Sequence, residues 1–191
     1  MKALSLFANV GLGEYYLEEL GVEVTVANEL IEERAAFYSR LYPETNMIVG
    51  SITDPEVFER VMAASQEVDL IIATPPCQGM SIANATRLQK ENDIRNSLIK
   101  KVVEAINRLN PMYVLIENVR GMAKTFISHQ GQAVKIMDYI KDNIPPRYKI
   151  NYEVLNAADY ETPQHRHRLI TLTSRKHEWT HPAPVGKHIT T

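Results

Sequence analysis

The stretch KALSLFANVGLGEYYLEELGVEVTVANE, residues 2–29, decides the fold of this 191-residue chain. Two short apolar runs, at residues 3–7 and 22–27, flank a segment with helical spacing at residues 14–20. Apolar runs of this length are typical of strands that are buried on both faces of a sheet. The stretch therefore predicts a strand, a helix and a second strand that pairs in parallel with the first.

The same alternation continues along most of the chain. Further strands are predicted at residues 47–49, 70–73, 113–116 and 169–172, and helices at 31–41, 55–64, 97–109 and 132–141. Asp54 before Pro55 is typical of a helix start. This order favours an α/β fold, a doubly wound, Rossmann-like and mainly parallel sheet with helices on both faces. Residues 148–174 read as extended strands, and we predict one domain over residues 1–174 with a tail or linker at 175–191.

Composition excludes several classes of protein. A single cysteine cannot form an internal disulfide, and no run approaches the roughly 18 apolar residues that span a membrane. The N-terminus lacks the pattern of a signal peptide, so we expect a reducing, cytoplasmic setting. Residues 1–70 hold four basic and 13 acidic side chains, whereas residues 71–191 hold 17 basic and ten acidic. This asymmetry either separates two functional surfaces or reflects scattered solvated charges.

The ends of the first two predicted strands indicate a cofactor site, because ligands of such sheets bind beyond the carboxyl ends of the strands. The first strand runs into Phe7, Ala8, Asn9 and Gly11, a turn that permits close approach of the backbone to a ligand. The second ends at Glu29, where a carboxylate can bind ribose hydroxyls. A simple turn and a helix-capping Glu29 are the alternatives.

Later strand ends carry reactive side chains. Pro75 and Pro76 stiffen the loop before Cys77, the only thiol of the sequence. This position favours a nucleophile over a packing residue. Glu117 follows an apolar run, a position that suits a proton donor or equally a surface carboxylate. Arg166 and Arg168 alternate in an extended segment and are predicted to share one face. His165 and His167 lack a second ligand pair, so no metal site is expected.

Together these motifs resemble the C5-specific DNA cytosine methyltransferases. The elements that match, in order, are Phe7-Ala8-x-x-Gly11, Asn28-Glu29, Pro75-Pro76-Cys77-Gln78, Glu117-Asn118-Val119 and Gln164-x-Arg166-x-Arg168. The resemblance implies S-adenosylmethionine as the cofactor and double-stranded DNA as the partner. It also implies a restriction-modification system of a bacterium or phage. It implies that the cofactor is bound by Phe7, Ala8, Asn9, Gly11, Glu29, Ser51, Ile52, Pro75 and Leu98.

The resemblance also implies catalytic roles. Cys77 would add to C6 of a cytosine that has flipped out of the duplex. Glu117 would protonate or hydrogen-bond N3 and the exocyclic amine, Arg168 would contact O2, and Arg166 would support the loop or a phosphate. Methylation of tRNA cytosine is an alternative that shares the Pro-Pro-Cys-Gln motif.

Three departures from the family pattern bear on function. Asn9 stands where the family commonly has glycine, and Ser51 where an aspartate usually meets the adenine. Family members also continue past the arginine pair into a target-recognition region, whereas this chain stops at Thr191. We therefore expect the catalytic subunit of a split enzyme or a piece of a longer one. A non-catalytic binding or regulatory module that keeps the fold is the third possibility.

Overall fold

The chain was analysed as a computed structural model that describes residues 1–76 and 94–185, with the backbone alone for 94–97. The strands are β1 (Lys2–Leu6), β2 (Glu23–Glu29), β3 (Asn46–Val49), β4 (Leu70–Ala73), β5 (Tyr113–Val119), β6 (Phe126–His129), β7 (Gln132–Lys135), β8 (Lys149–Asn156) and β9 (His167–Ser174). The α-helices are α1 (Glu32–Leu41), α2 (Pro55–Ala64), α3 (Ile94–Leu109) and α4 (Ile136–Asn143).

One sheet contains seven of these strands in the order β3-β2-β1-β4-β5-β9-β8. The first five strands of the chain pair in parallel, whereas β9 runs antiparallel to both β5 and β8. Strands β6 and β7 form a separate hairpin. The mostly parallel α/β sheet predicted from the sequence is therefore confirmed.

Helices cover both faces of the sheet. Because successive residues of a strand point to opposite faces of the sheet, adjacent residues of β2 belong to different hydrophobic clusters. Val26 joins the main core with residues of α2, α3 and α4, whereas Ala27 packs against Tyr38 of α1 on the other face. Full burial of a Val, Leu, Ile, Phe or Met side chain contributes about 1.5–3 kcal/mol, and the main core contains most of these buried side chains.

The segment between β1 and β2 differs from the α-helix predicted at residues 14–20. It forms two short 3-10 helices, Leu12–Glu14 and Glu18–Leu20. The backbone N–H groups of Glu14, Leu17 and Leu20 each donate to the carbonyl three residues earlier. Gly11 and Gly21, both in the left-handed conformation, bound the segment, and bonds to the carbonyl three residues earlier are those of a 3-10 helix rather than of an α-helix.

The helix predicted at residues 132–141 was also partly wrong. Its first four residues form β7, and α4 starts at Ile136. Gln130 and Gly131 both have positive φ, 52° and 75°, which suits a tight turn between hairpin strands and fixes β7 against β6. The strand pairing of Gln132–Lys135 thus replaces the first helical turn.

Residues 175–185 have no regular secondary structure but contact the domain. The Trp179 ring meets Tyr113 edge to face at 5.6 Å, and its carbonyl accepts from Asn151 Nδ2 at 2.6 Å. The Tyr160 hydroxyl donates to the Pro182 carbonyl at 2.9 Å. The boundary at residue 174 stays a prediction. Within residues 1–76 and 94–185, no helix is both long and apolar enough to cross a membrane.

Asp54 caps α2, as the sequence predicted, and this role can be tested. Its Oδ1 accepts from the backbone N–H groups of Glu56 and Val57 at 2.8 and 3.3 Å. We expect Asp54→Ala to lower the free energy of unfolding in urea by about 1 kcal/mol, because two helix-end donors lose their partner. Asp54→Asn keeps an acceptor and is the matched control; equal losses in both variants would contradict the capping role.

Candidate active site

The turn after β1, residues 7–13, lies at the carboxyl edge of the sheet and is here called the cofactor turn. Phe7, Asn9 and Gly11 all have positive φ, 62°, 52° and 80°. Asn9 accordingly occupies a conformation that asparagine tolerates better than most residues. The Ala8 N–H donates to the Asn28 carbonyl at 3.0 Å, and the Gly11 N–H donates to the Ala8 carbonyl at 3.0 Å. The backbone is thus held in an unusual path beside the end of β2.

Glu29 ends β2 with its side chain buried against the cofactor turn. Its Oε2 accepts from the Asn9 N–H at 2.8 Å, and its Oε1 accepts from the Ile31 N–H at 2.9 Å. Glu29 therefore holds the turn and also supports the approach to α1. Each carboxylate oxygen has a second lone pair, which is the acceptor that a ribose hydroxyl would need. This donor and acceptor set fits a nucleoside-bearing cofactor.

The end of β3 joins the same edge. Asn28 Nδ2 donates to the carbonyls of Ile48 and Gly50 at 2.8 and 3.1 Å. The Ser51 hydroxyl lies 2.8 Å from the Thr53 hydroxyl, and Ile52 is buried in the main core. The carboxylate of Asp54 is directed to the start of α2, not to this edge.

Three hydrogen bonds hold the chain where it leaves β4. The Thr74 N–H donates to the Leu6 carbonyl at 3.2 Å, and the Thr74 hydroxyl donates to the Phe7 carbonyl at 3.0 Å. On the other side, Asn118 Nδ2 donates to the carbonyl of buried Pro75 at 2.8 Å. The chain thus leaves β4 from a point fixed to the ends of both β1 and β5. Cys77 itself lies outside the described residues.

Glu117 and Arg168 form an ion pair at the end of β5. Arg168 Nε lies 2.8 Å from Glu117 Oε1, and both side chains are partly exposed. The antiparallel register places Arg168 opposite Val119, two residues beyond Glu117. Diagonal positions of this kind share one face of a sheet, which explains the contact. A carboxylate and a guanidinium with donors still available therefore stand next to the segment that leads to Cys77.

Two predicted site residues are not brought into this arrangement. Arg166 is exposed before β9; its N–H donates to Asn156 Oδ1 at 3.1 Å and its carbonyl accepts from the Ala157 N–H at 3.0 Å. Leu98, on α3, packs against the main core. The catalytic role of Arg166 and the cofactor contact of Leu98 stay predictions.

The sequence did not mark three residues that the structure brings to this edge. The sequence assigns no role to Thr74, although a hydroxyl directly after an apolar run is a usable signal. Asn118 belonged to the quoted motif without a role of its own. Glu14 is buried, and no local signal distinguishes it from the neighbouring acidic residues Glu18 and Glu19, which are exposed. Within the described part of the chain, no cluster of three or more histidine, cysteine or acidic side chains could hold a metal ion.

The fold is the Rossmann-like α/β fold of S-adenosylmethionine-dependent methyltransferases, and solved methyltransferase structures share it. A crystal structure of a Spodoptera frugiperda DNMT2 variant matches 100% of this chain and 54% of its own, with a TM-score of 0.67 at 21% identity. The S. pombe Dnmt2 methyltransferase matches 94% of this chain and 51% of its own, with a TM-score of 0.66 at 19% identity.

The sequence comparison gives the family. The model of the C-5 cytosine-specific DNA methylases matches residues 1–190, and the chain belongs to that family. It is 42% identical over 177 residues to the Type II methyltransferase M1.HgaI of Avibacterium volantium, a match that covers 91% of this chain and 50% of that protein. The match to M.XorII of Xanthomonas oryzae is 28% identical over 96% of this chain and 43% of that protein. The chain thus spans about half the length of these relatives.

The hydroxyl of Thr74 offers a test of how the two strand ends are joined. Thr74→Val removes the donor to the Phe7 carbonyl at nearly constant shape, and we expect the free energy of unfolding to fall by about 1 kcal/mol. Thr74→Ser keeps the hydroxyl and should retain most of that free energy. Urea denaturation measures both; if the valine variant is as stable as the serine variant, the hydrogen bond contributes nothing.

Proposed function

We propose that this chain is the catalytic part of an enzyme that transfers a methyl group from S-adenosylmethionine to C5 of cytosine in DNA. The observation that carries the proposal is the meeting of four strand ends at one edge. There the cofactor turn, the Glu29 carboxylate, the start of the segment leading to Cys77 and the Glu117–Arg168 ion pair lie next to one another. A thiol, a carboxyl and a guanidinium are the groups that such a methylation needs.

The cofactor would lie along the cofactor turn, with its ribose hydroxyls donating to Glu29. When bound, it supplies an electrophilic methyl group on a sulfonium. Phe7 and Ala8 would line the site, Ser51 and Ile52 would lie on the side of the base, and Pro75 would separate the cofactor from the catalytic segment. The second lone pair of each Glu29 carboxylate oxygen supports this placement.

On the substrate, the thiolate of Cys77 would form a bond to C6 of the flipped-out cytosine. The electron pair displaced from the C5–C6 bond makes C5 nucleophilic, so C5 would take the methyl group and S-adenosylhomocysteine would be left. Glu117, carrying a proton at this step, would protonate N3 or donate a hydrogen bond to it and would accept from the exocyclic amine, and Arg168 would donate to O2, so both stabilise the charge that develops on the ring. Loss of the C5 proton to a base and cleavage of the bond between sulfur and C6 then regenerate Cys77.

The ion pair between Glu117 and Arg168 is consistent with these roles. Each side chain fixes the orientation of the other before a base enters, which lowers the reorganisation needed during the reaction. In the described contacts, Arg168 reaches Glu117 through Nε alone, while its Nη1 donates to the His167 carbonyl at 2.8 Å. Its Nη2 is the donor that we assign to O2 of the cytosine.

A mechanism-based trap tests the proposed reaction. Duplex DNA that contains 5-fluorocytosine cannot lose a proton from C5, so we expect a covalent adduct with the protein when S-adenosylmethionine and the polypeptide that completes the enzyme are both present. Cys77→Ser should abolish the adduct, and Ser81→Ala serves as a control that leaves the thiol in place. Denaturing gel electrophoresis detects the adduct.

The outcomes of the trap separate the candidate functions. An adduct with 5-fluorocytosine in tRNA but not in DNA would favour the tRNA alternative. No adduct with either nucleic acid, with or without a complementing polypeptide, would favour a non-catalytic module and would overturn the proposal.

We further propose that target recognition is supplied by a second subunit or by a further C-terminal segment. The relatives are about twice as long as this chain, and the contacts that distinguish bases in the groove are expected in that part. We expect the chain alone to bind the cofactor weakly and to methylate DNA slowly or not at all. The test is to measure methyl transfer to DNA by the purified chain alone and again after adding the polypeptide encoded by the adjacent reading frame. Full sequence-specific activity of the purified chain would contradict it.

A further inference from the structure

A buried carboxylate lies beneath the cofactor turn and has no part in the proposed reaction. Glu14 ends the 3-10 helix Leu12–Glu14, and only 5% of its surface is exposed. One of its oxygens accepts from the Ser5 hydroxyl on β1, and the other accepts from the Tyr38 hydroxyl on α1. Glu14 therefore connects a strand, a helix and the end of the cofactor turn.

Glu14, Ser5 and Tyr38 form a buried cluster, and a second tyrosine, Tyr42, connects this cluster to the cofactor turn. The rings of Tyr38 and Tyr42 pack with their centroids 4.7 Å apart, and the Tyr42 hydroxyl donates to the Gly11 carbonyl at 2.8 Å. That carbonyl also accepts from the Glu14 N–H at 3.2 Å. A side chain at Gly11 would place its Cβ 2.3 Å from the Tyr42 ring, so the ring and the turn are in close contact. The position of the turn thus depends on where the cluster holds α1.

Burying the Glu14 carboxylate costs free energy, which its two hydrogen bonds partly offset. Burial raises the pKa of Glu14 above its ordinary value, even though the hydrogen bonds from Ser5 and Tyr38 act in the opposite direction. Tyr38 also has a raised pKa, because of its own burial and then the neighbouring Glu14. Among the residues that the structure describes, no lysine or arginine forms an ion pair with Glu14. A neutral side chain of the same shape would avoid the cost of burying a charge.

We propose that Glu14 is a positioning residue for the cofactor: it fixes the cofactor turn by holding Ser5 and Tyr38 as hydrogen-bond donors from two different elements. The inference rests on the proposed function, since it takes this turn to be the binding site of S-adenosylmethionine. An ionised carboxylate only accepts hydrogen bonds, so it dictates the direction of both hydroxyl groups.

Glutamine cannot reproduce this arrangement. Its side chain offers one oxygen acceptor, and its other terminal atom is a donor. In Glu14→Gln, one of the two hydroxyl groups must therefore turn away and find another acceptor. The shape and the volume of the site are nearly unchanged, which makes this variant a test of the hydrogen-bond pattern rather than of packing.

The test compares stability with cofactor affinity in Glu14→Gln. Because the pKa of Glu14 is raised in the folded state, the stability of the wild type falls as the pH rises through that pKa. At pH 8 we expect Glu14→Gln to unfold at about the same urea concentration as the wild type, because removal of the buried charge offsets the loss of one hydrogen bond. We expect its affinity for S-adenosylmethionine, measured by calorimetry on the full chain, to be about tenfold weaker, which corresponds to about 1.4 kcal/mol.

Hydrogen exchange of backbone amides provides a readout that does not need the cofactor. In Glu14→Gln, exchange at the Gly11 and Glu14 amides should accelerate about tenfold, while the amides of Leu4 and Val26 in the core strands should be unaffected. Tyr38→Phe removes one donor and leaves the ring, so it should weaken binding in the same direction and provides a second test if Glu14→Gln fails to fold. Ser39→Ala is the matched control, because it removes a hydroxyl of α1 that bonds to the Ala35 carbonyl.

Each outcome is decisive. Weaker binding and faster exchange at unchanged or higher stability support the positioning role, whereas a merely structural residue would lower stability and affinity together. Unchanged exchange at Gly11 in both Glu14→Gln and Tyr38→Phe would overturn the inference. If the wild type with its complementing polypeptide does not bind S-adenosylmethionine, the proposed function fails, while the exchange measurement still decides whether Glu14 holds the turn.

Discussion

The parallel pairing of β1 with β2 on one side and β4 on the other is the constraint on which the whole edge depends. Leu4 and Leu6 of β1 are fully buried, so the strand cannot shift along its neighbours without exposing apolar surface. The parallel direction brings the carboxyl ends of all three strands to one side. Phe7 and Thr74 are 67 residues apart in the sequence, yet they share a hydrogen bond there. The crevice between these two strand ends is the place where ligands of such sheets bind.

Features that depend on a few neighbouring residues could be predicted from the sequence. Buried parallel strands are marked by short apolar runs, and the start of α2 by Asp54 before Pro55. The left-handed backbone of Asn9 followed from the glycine that the family commonly has there. These features are local because one side chain or one short segment determines each of them.

Features that depend on the packing of distant elements could not be predicted. Glu14, in the segment of 3-10 helices between β1 and β2, points inward to Ser5 and Tyr38, and nothing near Glu14 in the sequence indicates that direction. The β6–β7 hairpin depends on a turn whose residues also fit a loop before a helix. The contact of Glu117 with Arg168 needed the register of β9, which the extended pattern alone does not give.

Strand β9 joins the parallel part of the sheet in the antiparallel direction. The contact between Glu117 and Arg168 therefore depends on whether β9 is displaced by an even or an odd number of residues. Side chains alternate between the two faces, so an even displacement of β9 along β5 would keep Arg168 on the face of Glu117 at a greater distance. An odd displacement would transfer it to the opposite face. The chain between these strands, residues 120–166, can therefore vary in length without harm to the site only if the pairing of Val119 with Arg168 is preserved. The connections between these strands can therefore differ in length, but the residue-by-residue pairing of β5 with β9 cannot change.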